Sequence, residues 1–182
     1  PIFTFINKMD RPGQEPLALL DEIEAELGLM TWAVNWPIGS GELFRGVIDR
    51  KSREVVLFRR AERGRQSIER TISVDDPELT NLVEKELLEK ALEELELLEA
   101  AGSAMDMDLV QAGELTPVFF GSAMTNFGVR PFLDSFLEMA QGPTARASSH
   151  GLVDPLRADF SGFVFKPQAN MDPRHRDRVA FV

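Results

Sequence analysis

The 182-residue chain contains no cysteine, only two histidines, and no apolar run long enough to span a bilayer. The missing cysteine excludes disulfides, thiolate nucleophiles and cysteine-based zinc sites, and it fits a reducing cytoplasm. His150 lies in a Pro-, Gly- and Ser-rich stretch and His175 in a basic one, which argues against metal catalysis by this chain. No Gly-x-x-x-x-Gly-Lys-Ser/Thr sequence occurs, so a phosphate cradle of that kind is not encoded here. The first residues read as a strand rather than a basic region followed by an apolar one, so no signal peptide is expected. Both ends fall in strand-like runs, and the chain reads as an internal piece of a longer protein.

The formal net charge of -10 is local. Residues 76–115 hold twelve acidic and two basic side chains, and the remainder carries eighteen of each sign. A basic partner surface would match that segment, and a solvated helix face explains it without a partner. Arg59, Arg60, Arg63 and Arg65 form a basic cluster without interleaved aromatics for base stacking. A solvated hairpin and an RNA-binding patch are its two readings.

The chain is organised around its first ten residues. Pro1 to Ile6 is apolar, with β-branched and aromatic side chains, and predicts a buried strand. It stops at Asn7-Lys8-Met9-Asp10. A helix follows, with Pro16 in its first turn, Leu17, Leu20, Ile23 and Leu27 on one face, and Gly28 as its stop. In open α/β sheets, ligands bind at the carboxyl ends of strands. Asp10 there can accept from two adjacent donors on a guanine edge, the Lys8 stem can lie on the base, and Asn7 can tie the loop. An ordinary polar turn is the alternative reading.

The same architecture recurs. Thr116 to Phe120 predicts a second apolar strand, which stops at Gly121-Ser122-Ala123 ahead of a helix from about Val129 to Ala140. Adjacent, parallel strands would bring both loops to one rim. The Ala123 amide can then donate to a carbonyl oxygen of the base, and small residues leave the base room.

Between the two units, Thr31–Trp36, Phe44–Asp49, Glu54–Phe58 and Ser67–Ser73 predict a small antiparallel sheet. One long helix is expected from an Asp76 N-cap to Ala101, then a short one over Met105–Ala112, closed by Gly113. Gln141 to Leu156 reads as a linker, and Asp159–Gln168 and Arg176–Val182 as strands of a further β-domain.

Four segments carry a family resemblance. They are Phe-Thr-Phe-Ile-Asn-Lys-Met-Asp at 3–10, Trp-Pro-Ile-Gly at 36–39, Thr-Pro-Val-Phe-Phe-Gly-Ser-Ala at 116–123, and the run from Gly162 to Phe181 around Gln-Ala-Asn-Met-Asp-Pro. Together they resemble translational GTPases of the elongation factor G type. Among these the last run is most similar to the peptide chain release factor branch, the bacterial GTPases of translation termination. The resemblance implies an α/β fold. Residues 1–30 and 114–141 would be the C-terminal half of a P-loop GTPase-type G domain, 31–113 an inserted α+β subdomain, 142–158 a linker and 159–182 the beginning of a β-barrel domain. It implies that Asn7, Lys8 and Asp10, with Ser122 and Ala123, bind guanine. Met124 stands where many relatives have leucine.

The resemblance further implies GTP or GDP with Mg2+ in the intact parent, with the phosphate and metal ligands outside this chain. No catalytic residue and no activity of the fragment alone are expected. The implied function is recycling of class-I release factors, with the ribosome, that factor and guanine nucleotide as partners, in the cytoplasm and away from membranes. A translocation GTPase of the elongation factor G kind and a non-catalytic interaction fragment are the alternatives. His175, with Arg174, Arg176 and Arg178, has two open readings, contact with rRNA phosphate and hydrogen bonding within its loop.

Overall fold

Successive side chains of a strand point to opposite faces, and in the first strand each face meets a different helix. Strand β1 (Thr4–Ile6) leads to helix α1 (Pro16–Leu27), which begins on its proline and ends on Gly28 at φ +64. That left-handed cap favours glycine. Thr4 and Ile6 line a groove with Leu19 and Ile23 of α1. On the other face Phe3 and Phe5 meet a second helix, described below.

The computed structural model describes residues 1–60, 67–102, 104–149, 151–160, 162–169 and 178–182. They form two units, Pro1–Gln141 and Gly142–Val182. Arg63, Arg65, Ser103, His150, His175 and the rest of 170–177 lie outside the described residues, as do the side chains of Arg59 and Arg60.

The expected strand over Thr31–Trp36 is two strands. β2 (Met30–Ala33) runs parallel to β7 (Leu115–Phe120), whereas β3 (Asn35–Ile38) runs antiparallel to β4 (Gly46–Asp49). Val34 is the point of exchange. Its N–H donates to Val118 O at 2.8 Å and its C=O accepts from the Arg50 N–H at 2.9 Å, so one residue is bonded into both sheets. Apolar alternation continues through such a change of partner, which is why the sequence reads as a single strand.

The antiparallel sheet continues with β5 (Glu54–Arg60) and β6 (Ser67–Ser73), in the order β3-β4-β5-β6. The long helix predicted from Asp76 is broken into α2 (Leu79–Leu82) and α3 (Lys85–Ala101). Asp76 accepts the Glu78 N–H at 2.8 Å in the turn before α2. Between the two helices Val83 is extended and Glu84 is non-helical. Glu84 there gives both carboxylate oxygens to Arg45, at 2.8 and 2.6 Å, a tertiary partner that helical propensity cannot foresee. Helix α3 buries Leu88, Ala91 and Leu95, and its Glu94 accepts the indole N–H of the fully buried Trp36 at 2.9 Å.

Helix α4 (Met107–Ala112) is capped by Asp106, which accepts from Asp108 N, and closes on Gly113 at φ +78. It feeds β7, the centre of a three-stranded sheet ordered β1-β7-β2. All six residues of β7 are buried. β1 is only half-buried, because it hydrogen-bonds to β7 on one flank. Helix α5 (Val129–Met139) then covers the face opposite α1. Its Phe132 ring meets Phe5 and Phe119 edge-on at 5.4 and 5.1 Å, and Phe136 meets Phe3 at 5.1 Å.

In the second unit β8 (Arg146–Ser148) pairs with β9 (Gly151–Val153), and β10 (Lys166–Ala169) with β11 (Arg178–Phe181), both antiparallel. A strand pair thus occupies part of the segment read as linker. The strand read over Asp159–Gln168 is confined to its end. Among the described residues no helix is long and apolar enough to cross a membrane.

The Arg45–Glu84 pair yields a pH prediction. The hydrogen bonds from Arg45 hold the Glu84 carboxyl at about 2 against an ordinary 4.5. A depressed carboxylate adds stability that is full above 4.5 and is lost as pH falls towards 2. Glu84 is half exposed, so water screening limits the contribution to about 1 kcal/mol or less. Arg45→Met should therefore lower stability by up to about 1 kcal/mol at neutral pH, a deficit that shrinks towards about pH 3. Urea unfolding at both pH values checks this, and a deficit independent of pH contradicts it.

Candidate base-recognition site

The parallel register sets Ile6 beside Phe120, so the two strands end level and their loops emerge side by side. The backbone ladder carries on past the strands. Gly121 N–H donates to Ile6 O, and Met9 N–H donates to Gly121 O, both at 3.0 Å. Met9, between Lys8 and Asp10, is buried and acts as the inward anchor of its loop.

Side chains complete the joint. Asn7 Oδ1 accepts from its neighbour Lys8 N–H at 2.8 Å and from Ala123 N–H, across the rim, at 2.9 Å. Ser122 Oγ donates to Asp10 Oδ1 at 2.7 Å. Arg11 reaches the Met124 sulfur at 3.7 Å, a weak third link. Lys8 holds φ +68, a left-handed conformation that is uncommon outside glycine. The Asn7 side chain supports it by accepting the Lys8 amide.

The five predicted residues are therefore together on one rim. Lys8, Asn7 and Ala123 are exposed, Asp10 is half-buried, and Ser122 is fully buried. Asp10 has one oxygen held by a hydroxyl, which fixes the carboxylate plane. Such a group can accept from paired donors. The arrangement departs from expectation at two points. The Ala123 amide is already bonded to Asn7, so an incoming carbonyl oxygen must compete for it. Gly121 is required by the protein itself, since an added Cβ would lie 2.7 Å from both Phe127 O and the Phe5 ring.

A family model described as the elongation factor Tu GTP binding domain matches residues 1–142. The chain belongs to that family. Among individual relatives, Peptide chain release factor 3 of Synechococcus elongatus is 62% identical over 183 residues, covering all of this chain and 33% of that protein. Peptide chain release factor 3 of Acaryochloris marina is 58% identical, again over the whole chain and 34% of the relative. The chain thus spans about a third of the length of these relatives. A crystal structure of a protein from Thermus thermophilus superposes with a TM-score of 0.51 at 23% identity, over 79% of this chain and 23% of that one. At that identity it shows the fold alone.

Within this elongation factor Tu-type GTP-binding domain, three supporting residues escape a reading of the two loops. Asn35, 5% exposed, clips the end of β7: its amide donates to Phe120 O at 3.2 Å and accepts the Phe120 N–H at 2.7 Å. It replaces the neighbouring strand where β2 has ended. Phe127 exchanges backbone bonds with Ser122, at 3.1 and 3.0 Å. Its fully buried ring lies against Phe44 and Phe58 of the antiparallel-sheet region at 5.5 and 5.3 Å. Gly41 donates its N–H to Met9 O at 2.9 Å. A polar residue inside an apolar strand pattern was the one signal available for Asn35; the other two leave none.

Replacing Asn35 by leucine leaves a buried N–H and a buried C=O at Phe120 without partners. At about 1–3 kcal/mol each, Asn35→Leu should cost roughly 2–6 kcal/mol. Chemical denaturation measures this directly, and a loss below about 1 kcal/mol contradicts the role given to Asn35.

Proposed function

We propose that this chain is the base-recognising part of a translational GTPase of translation termination, of which it forms about a third. The observation that carries the reading is the pair of side-chain bonds joining the loops, Ser122 to Asp10 and Ala123 to Asn7. They link residues more than a hundred positions apart into one acceptor–donor edge. Membership of a GTP-binding family and the identity to proteins named Peptide chain release factor 3 support it.

In this reading Asp10 accepts from two neighbouring donors on the guanine edge, while Ser122 holds its carboxylate in plane. Lys8 lies along the base face, and Asn7 keeps the two loops in register. The donor set fits guanine: a carboxylate beside an exposed backbone amide matches a base that offers two N–H groups next to a carbonyl. The nucleotide, when bound, supplies the phosphates whose hydrolysis drives the cycle. The groups that would hold those phosphates and Mg2+ are read as lying in parts of the intact protein outside this chain, so GTP hydrolysis is assigned to the intact protein and the chain alone is expected to be inactive.

Residues 1–30 and 114–141 are read as the C-terminal half of the G domain and 31–113 as its inserted subdomain. Val34 is where the chain leaves the parallel sheet. Residues 142–158 are read as a linker and 159–182 as the start of a β-barrel. The intact protein would act in the cytoplasm on the ribosome, promoting departure of a class-I release factor.

The test of base recognition is Asp10→Asn in the intact protein. The side-chain amide cannot accept from both guanine donors, but its NH2 can donate to the additional oxygen of xanthine. Losing charge-assisted bonds worth about 1.5–3 kcal/mol each should weaken GDP binding at least about tenfold and improve binding of xanthosine diphosphate. Nucleotide-exchange titrations measure both, and unchanged GDP affinity contradicts the assignment.

A further inference from the structure

The Met9 peptide sits between the two residues that would touch the base, Lys8 and Asp10, and it is clamped at both ends. Its N–H donates to Gly121 O at 3.0 Å, and its C=O accepts the Gly41 N–H at 2.9 Å. The first bond belongs to the joint between the two loops. The second comes from elsewhere, from the tight turn that follows β3.

That turn is shaped for close approach. Gly41 is buried, with φ +61, and Gly39 two residues earlier has φ +72. A Cβ on Gly41 would lie 3.2 Å from Pro12 N and 3.4 Å from Pro12 Cα, backbone atoms of the loop just beyond Asp10. Only a residue without a side chain lets this turn press on residues 9–12 at its present distance. On the far side of the same region, Lys90 of α3 pairs with Glu15 at 2.7 Å, directly before α1. The hydrogen bond to Glu15 raises the Lys90 pKa, in keeping with a formed contact.

We propose that Gly41 is a positioning residue for base discrimination: through the Met9 carbonyl and the Pro12 backbone it holds Asp10 at the distance from Ser122 that two-donor recognition needs. This rests on the reading of Asp10 as the guanine acceptor. It assigns part of the specificity to a segment that belongs to neither recognition loop. Gly41 itself touches no base. Its effect is to keep the carboxylate from shifting by the few tenths of an ångström to which hydrogen-bond geometry is sensitive.

The test compares GDP, IDP and ADP binding to the intact protein. Inosine lacks the exocyclic amino group, so the GDP-to-IDP affinity ratio reports one of Asp10's two contacts and largely cancels the phosphate contribution. Gly41→Ala should reduce that ratio by about threefold or more. Gly28→Ala is the control. It places alanine at a comparable left-handed φ of +64 with nothing within 4 Å of the new Cβ, so it costs backbone strain and should leave the ratio unchanged. An unchanged ratio in Gly41→Ala, or an equal fall in Gly28→Ala, overturns the proposal. A parent protein that binds GDP no better than IDP and ADP overturns the base reading itself. Should Gly41→Ala fail to fold, amide exchange on the unsubstituted protein decides. GDP should slow exchange of the Gly41 N–H several-fold more than ADP does, and equal exchange with the two nucleotides overturns the proposal.

Discussion

Ile6 lies opposite Phe120 in a parallel ladder, and the geometry of the rim depends on that register. A slip by one residue would turn every side chain of β1 to the opposite face. Phe3 and Phe5 would leave the α5 aromatics, and Thr4 and Ile6 would leave α1. It would also carry Asp10 away from Ser122. The register is held by the Thr4–Thr116 hydroxyl pair at 2.9 Å, by the ring contacts of Phe5 and Phe119 with Phe132, and by the Gly121 backbone bonds. Packing and hydrogen bonding therefore specify the same alignment, and chemistry at the rim inherits it.

The rim is also supported from the antiparallel sheet. Phe127 carries the second loop into a cluster with Phe44 and Phe58, and Asn35 terminates β7 with two bonds that a strand would otherwise make. Buried polar groups of this kind are costly when a partner is lost. The two rim loops are consequently tied by packing and hydrogen bonds to the segment between the two strand–loop–helix units. The acidic surface of α3, by contrast, is laced with exposed pairs such as Lys85–Glu89 at 3.5 Å, which contribute little to stability.

The two strand–loop–helix units are legible in the sequence because their signals are local. An apolar run, a polar or small-residue stop and a helix with Pro16 and Gly28 at its ends need no distant partner. The loops that carry Asn7, Lys8, Asp10, Ser122 and Ala123 stand out as strand-end loops for the same reason, and the family model matches residues 1–142. What is not legible depends on contacts across the chain. The division at Val34 follows from bonds to Val118 and Arg50. The break before α3 coincides with the Arg45–Glu84 pair. The Ala123 amide is taken by Asn7 only because the loops meet, and no composition or period encodes the close approach of the Gly41 turn to Pro12.

The central claim is that these two loops form one guanine-recognising edge, and a crystal structure of the intact protein with GDP tests it most directly. The account predicts the base seated against Lys8, both Asp10 carboxylate oxygens within hydrogen-bond reach of its edge, Ser122 still bonded to Asp10, and the Ala123 amide turned from Asn7 towards the base carbonyl. A base bound away from this rim, or Asp10 separated from both Ser122 and the nucleotide, would contradict it.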